Sequence, residues 1–412
     1  DVSALSSKNY QFAARSNKGT LTVGKATLTV AANDEVREYG EENPVFSPVY
    51  NGFRNGENLA AINMTGTPSF STLGTKSADA GTYAIDANVS ALSSRNYTFA
   101  PRANKGSLII TKALVTVTAN DTSRNYGSLN PVFSATLSGF KNGQTVSNSG
   151  ISGLANFTTP ATQLSPVNVY DIVPDSGSLA SKNYRFQFAK GKMTINKAQV
   201  TVIADNKTKY YGEALPQFTA TFSGFVNGED LSKSGITGTP AMATNAVSTS
   251  PVDLYDITIG QGNMASNNYT FLFKNGTLVV RRATITVTAD SASRIYGDPN
   301  PVFTASYSGF VNNESLATSG ITGSPKLTTP AVATSPVGNY TITTENGSLV
   351  STNYAFTFVN NKMSVGKATI TVRANDTSRI YGNANPAFTA TYTGFKNNCL
   401  LYTSDAADEG LG

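Results

Sequence analysis

The chain has 412 residues, a formal charge of +5, no histidine, no tryptophan and a single cysteine. That composition excludes a Ser-His-Asp triad, a Cys-His pair and any histidine metal site, so no catalytic residue, metal or cofactor is expected. Hydrophobic residues at 39% are ample for packed cores, and no apolar run approaches the roughly 20 residues a membrane helix needs, so direct membrane insertion is not expected of this segment.

The period decides the architecture before any single segment does. A Tyr-Gly pair recurs at Tyr39-Gly40, Tyr126-Gly127, Tyr211-Gly212, Tyr296-Gly297 and Tyr381-Gly382, with tyrosine spacings of 87, 85, 85 and 85. Gly-Phe pairs ending at Phe53, Phe140, Phe225, Phe310 and Phe395 keep the same step, as do the Asn-Tyr tyrosines Tyr10, Tyr97, Tyr184, Tyr269 and Tyr354. A basic residue followed by Ala26, Ala113, Ala198, Ala283 or Ala368 marks each joint. Residues 1–25 are then the end of a repeat; 26–112, 113–197, 198–282 and 283–367 are four complete repeats; and 368–398 begins another.

Within a repeat the elements follow in order. Each opens with Thr alternating with an aliphatic residue, as in Thr27-Leu28-Thr29-Val30 and Thr284-Ile285-Thr286-Val287, the period-two signal of a strand with one buried face. Next comes the Tyr-Gly turn. An Asn or Asp six residues before the tyrosine (Asn33, Asn120, Asp205, Asp290, Asn375) is expected to cap its own turn. A proline five residues after it and a phenylalanine seven after it (Phe46, Phe133, Phe218, Phe303, Phe388) are expected to stiffen the turn and plug the core. The stretch after each Gly-Phe, such as 227–235, reads as one short helical turn ended by glycine. The last segment, Tyr269 to Phe273, then Asn275-Gly276, then Leu278 to Val280, reads as a hairpin. From there the pattern runs almost directly into the next repeat. A joint with so little slack predicts a semi-rigid array, about 30 Å per repeat and roughly 150 Å in all by compact-chain scaling. The fold class is mainly β, a tandem array of ~85-residue β-rich repeat domains.

Two readings stand for the residues around Tyr-Gly. The structural one makes the turn a scaffold. The functional one makes Tyr39, Tyr126, Tyr211, Tyr296 and Tyr381, with the basic residues two before them (Arg37, Arg124, Lys209, Arg294, Arg379), an exposed row of ligand contacts that stack on sugars. Paired catalytic carboxylates do not recur: the best candidate position is Glu57, Glu229 and Glu314 but Gln144 in the second repeat. No basic run of five or more is present, so nucleic acid is not an expected partner.

Cys399 lies where the pattern breaks. The string from Cys399 to Glu409 reads as the in-frame translation of a transposase-type sequencing adapter, so 399–412 is taken as a non-native tail and the chain as a fragment.

The joint and turn pattern running from Lys367-Ala368-Thr369-Ile370-Thr371-Val372 through Tyr381-Gly382, Asn385-Pro386 and Phe388 to Gly394-Phe395 resembles the MBG repeat family, Tyr-Gly type. That resemblance implies tandem arrays in large bacterial surface or secreted proteins of adhesin-like kind, an extracellular location, and no catalytic residues. It also implies a β-grasp-like unit with one short helical turn; the residues themselves leave an immunoglobulin-like sandwich open as the alternative. The expected role is a structural stalk that projects other domains from the cell. The alternative is multivalent repeats that bind host or environmental glycans or glycoproteins, with neighbouring repeats as the other partner.

Overall fold

The structure, a computed structural model, describes residues 2–14 and 19–397; the tail 399–412 lies outside them. The chain divides into two compact units, 1–198 and 199–412, each described by itself.

In the first unit, the first repeat consists of β1 (Ala26–Ala32), β2 (Glu35–Glu38), β3 (Pro48–Asn51), β4 (Ser69–Thr72), β5 (Gly81–Asn88), β6 (Tyr97–Pro101) and β7 (Gly106–Thr111). They form a three-stranded sheet in the order β3-β1-β6 and a four-stranded sheet in the order β2-β7-β5-β4. Two pairings are parallel, β1 with β6 (Leu28 opposite Phe99) and β2 with β7 (Arg37 opposite Ile110). The second repeat has the same two sheets, with Ala113–Ala119 in the place of β1 and Gly191–Asn196 in the place of β7. In the second unit, two further repeats keep this order, and Thr371–Ala374 pairs with Ala390–Thr393 at the start of the last, partial one.

The opening alternation becomes the predicted half-buried strand. Leu28, Val30, Ile285 and Val287 are fully buried, while the threonines between them face outward or sit at intermediate exposure. Each such side chain contributes about 1.5 to 3 kcal/mol through burial. The core does not stop at a joint. Ile85, Leu108 and Ile110 of the first repeat share one cluster with Ala113, Val115 and Tyr184 of the second. Val280 of the third repeat shares another with Ile285, Val287 and Tyr354 of the fourth. The connection at each of these joints is a single residue. Lys112 separates Thr111 from Ala113 and donates from Nζ to the Ser181 carbonyl at 2.7 Å. Arg282 makes the same kind of bond from Nε to the Thr352 carbonyl at 3.1 Å, so either basic residue serves.

Three local expectations are corrected. First, no helix occurs among the described residues. The stretch after each Gly-Phe folds as turns, among them Arg54-Asn55-Gly56-Glu57, where Glu57 N donates to Arg54 O at 3.0 Å and both central residues have positive φ. A glycine-ended turn is present at 230–235, with Gly235 at φ +65, but it does not propagate. Each complete repeat thus has two small sheets and no helix, so the helical turn expected of a β-grasp-like unit is absent.

Second, Asn275-Gly276 does not close a hairpin. Tyr269–Lys274 and Gly276–Arg281 belong to different sheets, and neither Asn275 nor Gly276 has a positive φ. Glycine fits a close approach there, since an added Cβ would lie 2.3 Å from the Ala204 carbonyl oxygen unless the backbone shifted. The fourth repeat instead has Asn361, whose amide donates to the Ala289 carbonyl at 2.8 Å.

Third, the Asn or Asp before each Tyr-Gly reaches across to the neighbouring strand instead of capping its own turn. Asp205 accepts from Thr219 at 2.5 Å and Thr221 at 2.7 Å, and these bonds hold its carboxyl below the usual range.

Candidate functional site

The strand before the Tyr-Gly turn of each complete repeat is β2 or its equivalent, held in parallel register against the last strand of its own repeat. The tyrosine N–H extends that ladder: Tyr39 to Thr111 O at 2.9 Å, Tyr211 to Arg281 O at 2.8 Å, Tyr296 to Gly366 O at 2.9 Å. The turn is therefore fixed in place by backbone bonds before its side chains are considered.

The basic residues do not form an exposed row. Arg37, Arg124, Lys209 and Arg294 are all buried, and only Arg379, in the partial repeat, is exposed. Burial pulls Arg37, Arg124 and Lys209 below their ordinary ranges. Each ties down loop carbonyls. Arg294 donates from Nε to Asn300 Oδ1 at 2.8 Å, from Nη1 to Ile295 O at 3.2 Å and from Nη2 to Val332 O at 2.5 Å. Asn300 in turn donates to Ala331 O at 2.7 Å. Arg37 with Asn43 and Arg124 with Asn130 repeat the arrangement. In the third repeat both members change together: Lys209 lacks the guanidinium fork, and the asparagine position is Leu215. Lys209 still reaches the Glu213 and Ser248 carbonyls at 3.0 and 2.9 Å. These groups are spent on their own fold and are not free for a ligand.

The tyrosines are placed likewise. Tyr39, Tyr126 and Tyr211 are buried, Tyr296 is half-buried and packs against a core cluster, and Tyr381 alone stands exposed in the partial repeat. The expectation of an exposed tyrosine row is thus corrected for the complete repeats.

What two of these tyrosines enter is a socket on the following repeat. Tyr211 of the third repeat packs edge-to-face on Tyr354 of the fourth, with centroids 5.5 Å apart and planes at 85°. Both hydroxyls donate to one carboxylate, Tyr211 to Glu314 Oε1 at 2.6 Å and Tyr354 to Glu314 Oε2 at 2.5 Å. Phe310, of the Gly-Phe pair, closes the aromatic stack against Tyr354 at 6.0 Å. Tyr39 meets Tyr184 in the same way, at 5.5 Å and 80°, with Gln144 Oε1 accepting from Tyr184 at 2.6 Å and from Tyr39 at 3.4 Å. The position that alternates Glu with Gln is therefore a hydrogen-bond acceptor for phenols. Both side chains offer the needed oxygen, which is why the change that rules out acid-base chemistry leaves the joint intact.

The glycine of the pair faces the same contact. A Cβ on Gly40 would lie 2.4 Å from Lys141 Cβ, on Gly212 2.4 Å from Val311 Cγ2, and on Gly297 2.3 Å from Lys396 Cβ. Around the rim, Lys141 approaches Glu38 at 3.5 Å and Glu41 at 3.9 Å, and Lys396 pairs with Asp298 at 3.2 Å.

Burial, and then the bond to Glu314, push the Tyr354 phenol up to about 12; Tyr211 and Tyr184 move the same way, burial first. A phenol raised above its unfolded value of about 10 contributes stability that is complete below pH about 10 and is lost as pH climbs towards 12. The melting temperature of the transition that includes the fourth repeat is expected to hold up to about pH 10 and to fall between about 10 and 12, with Tyr354→Phe flattening that fall. Paired calorimetry and phenolate absorbance across this range check it; a fall unchanged by Tyr354→Phe rejects Tyr354 as its source.

Among the described residues no group of three or more His, Cys, Asp or Glu is placed to hold a metal, and no helix is long and apolar enough to cross a membrane.

A family described as MBG domain (YGX type) matches residues 28–108, 115–194, 200–279, 285–364 and 370–406. The last match overlaps the start of the adapter-like tail. No curated protein matches the chain. Among solved structures, similarity is found to the structure of the M60 catalytic domain with the CBM51-1 and CBM51-2 domains from Clostridium perfringens ZmpB, at 9% identity and a TM-score of 0.13, covering 88% of this chain and 42% of that one. Likeness at that level carries no argument about binding.

Proposed function

This chain belongs to the MBG domain family, YGX type, and from that premise we propose that it is a structural spacer of a bacterial cell-surface or secreted adhesin-like protein. In this reading the repeats carry other domains outward and perform no catalysis themselves. One observation carries it: the residues that recur most faithfully are used to seat one repeat on the next. Tyr211 and Gly212 lie against Glu314 and Val311, and Tyr39 and Gly40 lie against Gln144 and Lys141. A joint of this kind resists bending because a buried aromatic contact and a shared acceptor must be broken together. Weak glycan binding multiplied along the array, the alternative, loses the Tyr-Gly and basic residues of the complete repeats, which are buried or, at Tyr296, half-buried.

The test is a glycan and mucin array probed with the whole chain, with a melting curve as the folding control. A folded chain that stays silent on the array is the expected result. Saturable binding to one glycan class, abolished by a surface substitution that leaves melting unchanged, turns the reading to adhesion.

A further inference from the structure

The first repeat carries its own copy of the socket. A cavity of about 340 Å³ is lined by Arg54, Asn55, Glu57, Arg95, Asn96 and Tyr97. These are the positions that Lys141, Asn142, Gln144, Lys182, Asn183 and Tyr184 occupy in the second repeat, where Tyr39-Gly40 is seated. The acceptor is already in place: Tyr97 donates to Glu57 Oε2 at 2.5 Å and accepts from Arg54 N at 2.9 Å, matching Tyr184 with Gln144 and the Lys141 N–H. Tyr97 is buried and Glu57 half-buried, while Arg54, Arg95 and Asn96 are exposed.

The rim charges say what fits. In the filled socket Lys141 faces Glu38 and Glu41, the residues one before and two after the seated tyrosine. Lys182 pairs with Asp79 at 2.6 Å, and Asn183 donates to the same aspartate and accepts from the Ala80 N–H, both at 2.8 Å. The first repeat has a cation at both lysine positions, Arg54 and Arg95, and retains the asparagine, Asn96.

From this geometry we infer that the cavity of the first repeat is a binding site for a Tyr-Gly turn of another repeat with carboxylates flanking the tyrosine, of the pattern Glu-Tyr-Gly-Glu. The phenol takes the free side of Glu57 and stacks on the edge of Tyr97. The glycine lets the turn close on Arg54, and the flanking acids meet Arg54 as Glu38 and Glu41 meet Lys141. Tyr381-Gly382-Asn383 of this chain has the turn glycine, at φ +94, but an isoleucine before the tyrosine and an asparagine after the glycine, so it is the poorer mate. The inference goes beyond the spacer reading, because a spacer and an adhesive array would use the same socket.

The experiment titrates the whole chain with a fluorescently labelled, head-to-tail cyclised peptide of sequence Arg-Glu-Tyr-Gly-Glu-Glu-Asn, read by polarisation. One-to-one saturable binding is expected. Replacing the peptide tyrosine by alanine, or making Glu57→Ala or Arg54→Glu in the chain, is expected to weaken it at least tenfold. Glu57→Gln is expected to retain binding, as Gln144 does the same work in the second repeat. A peptide with lysines for its glutamates is expected to bind the Arg54→Glu chain better than the unaltered one. Melting curves confirm that each variant is folded, and Arg54→Glu, on an exposed side chain, keeps the test open if Glu57→Ala is not. Absence of saturable binding to the unaltered chain, or binding indifferent to both Arg54→Glu and the peptide tyrosine, overturns the inference.

Discussion

Gly212→Val is expected to lower the melting temperature of the unit 199–412 by about 10 °C, from a loss of about 2 to 6 kcal/mol. Two costs coincide. Gly212 has φ +85, a region in which a β-branched residue is strained by about 1 to 3 kcal/mol. Its Cβ would also fall 2.4 Å from Val311 Cγ2 and 2.5 Å from Val311 Cβ, so the fourth repeat must move away from the third, and overpacking of that kind costs a further 1 to 3 kcal/mol or so. Gly228 separates the two. It has φ +70 but nothing within 4 Å of an added Cβ, so Gly228→Val carries the backbone strain alone. Differential scanning calorimetry of both variants decides the matter. Equal shifts would show that the close approach of the repeats at Gly212 contributes nothing, and the Tyr-Gly glycine would then be a turn residue with no part in seating one repeat on the next.

The parts of this fold that are legible in the sequence are those whose cause is local. Thr284-Ile285-Thr286-Val287 alternates because one face of that strand is buried, and the threonines are outside or partly so. The misread parts depend on distant neighbours. Asn275-Gly276 carries a strong short-range turn signal, but the glycine answers to a carbonyl at Ala204, in another strand of the repeat. Tyr211 reads as an exposed ligand contact because its acceptor, Glu314, is 103 residues further on. A signal for that contact is nonetheless present. The position occupied by Glu57, Gln144, Glu229 and Glu314 varies only between two side chains that share a carbonyl-type oxygen, which is the requirement of a phenol donor and not of a catalytic acid. The paired change from Arg and Asn to Lys209 and Leu215 similarly points to two residues that touch, a relation that single-position reading does not expose.

The acceptor role makes Tyr354 the most sensitive residue of the joint. Its ring is 1% exposed and lies between Tyr211 and Phe310, so Tyr354→Ala is expected to cost about 3 to 5 kcal/mol through lost burial and the cavity left behind. Tyr354→Phe keeps the ring and removes one hydroxyl, leaving the Val311 N–H without its acceptor and Glu314 with one phenol instead of two; about 1 to 3 kcal/mol is expected. Because Tyr211 and Tyr354 donate to the two oxygens of one carboxylate, Tyr211→Phe and Tyr354→Phe should not be additive. Once one hydroxyl is gone, the carboxylate is freer to turn towards the other or towards water, and the double variant should differ from the sum of the singles by about 0.5 kcal/mol or more. Denaturant melts of the four proteins in this cycle measure that coupling directly. Strict additivity, together with a Tyr354→Ala chain that melts like its parent, is the result that removes Glu314 as a link between the third and fourth repeats.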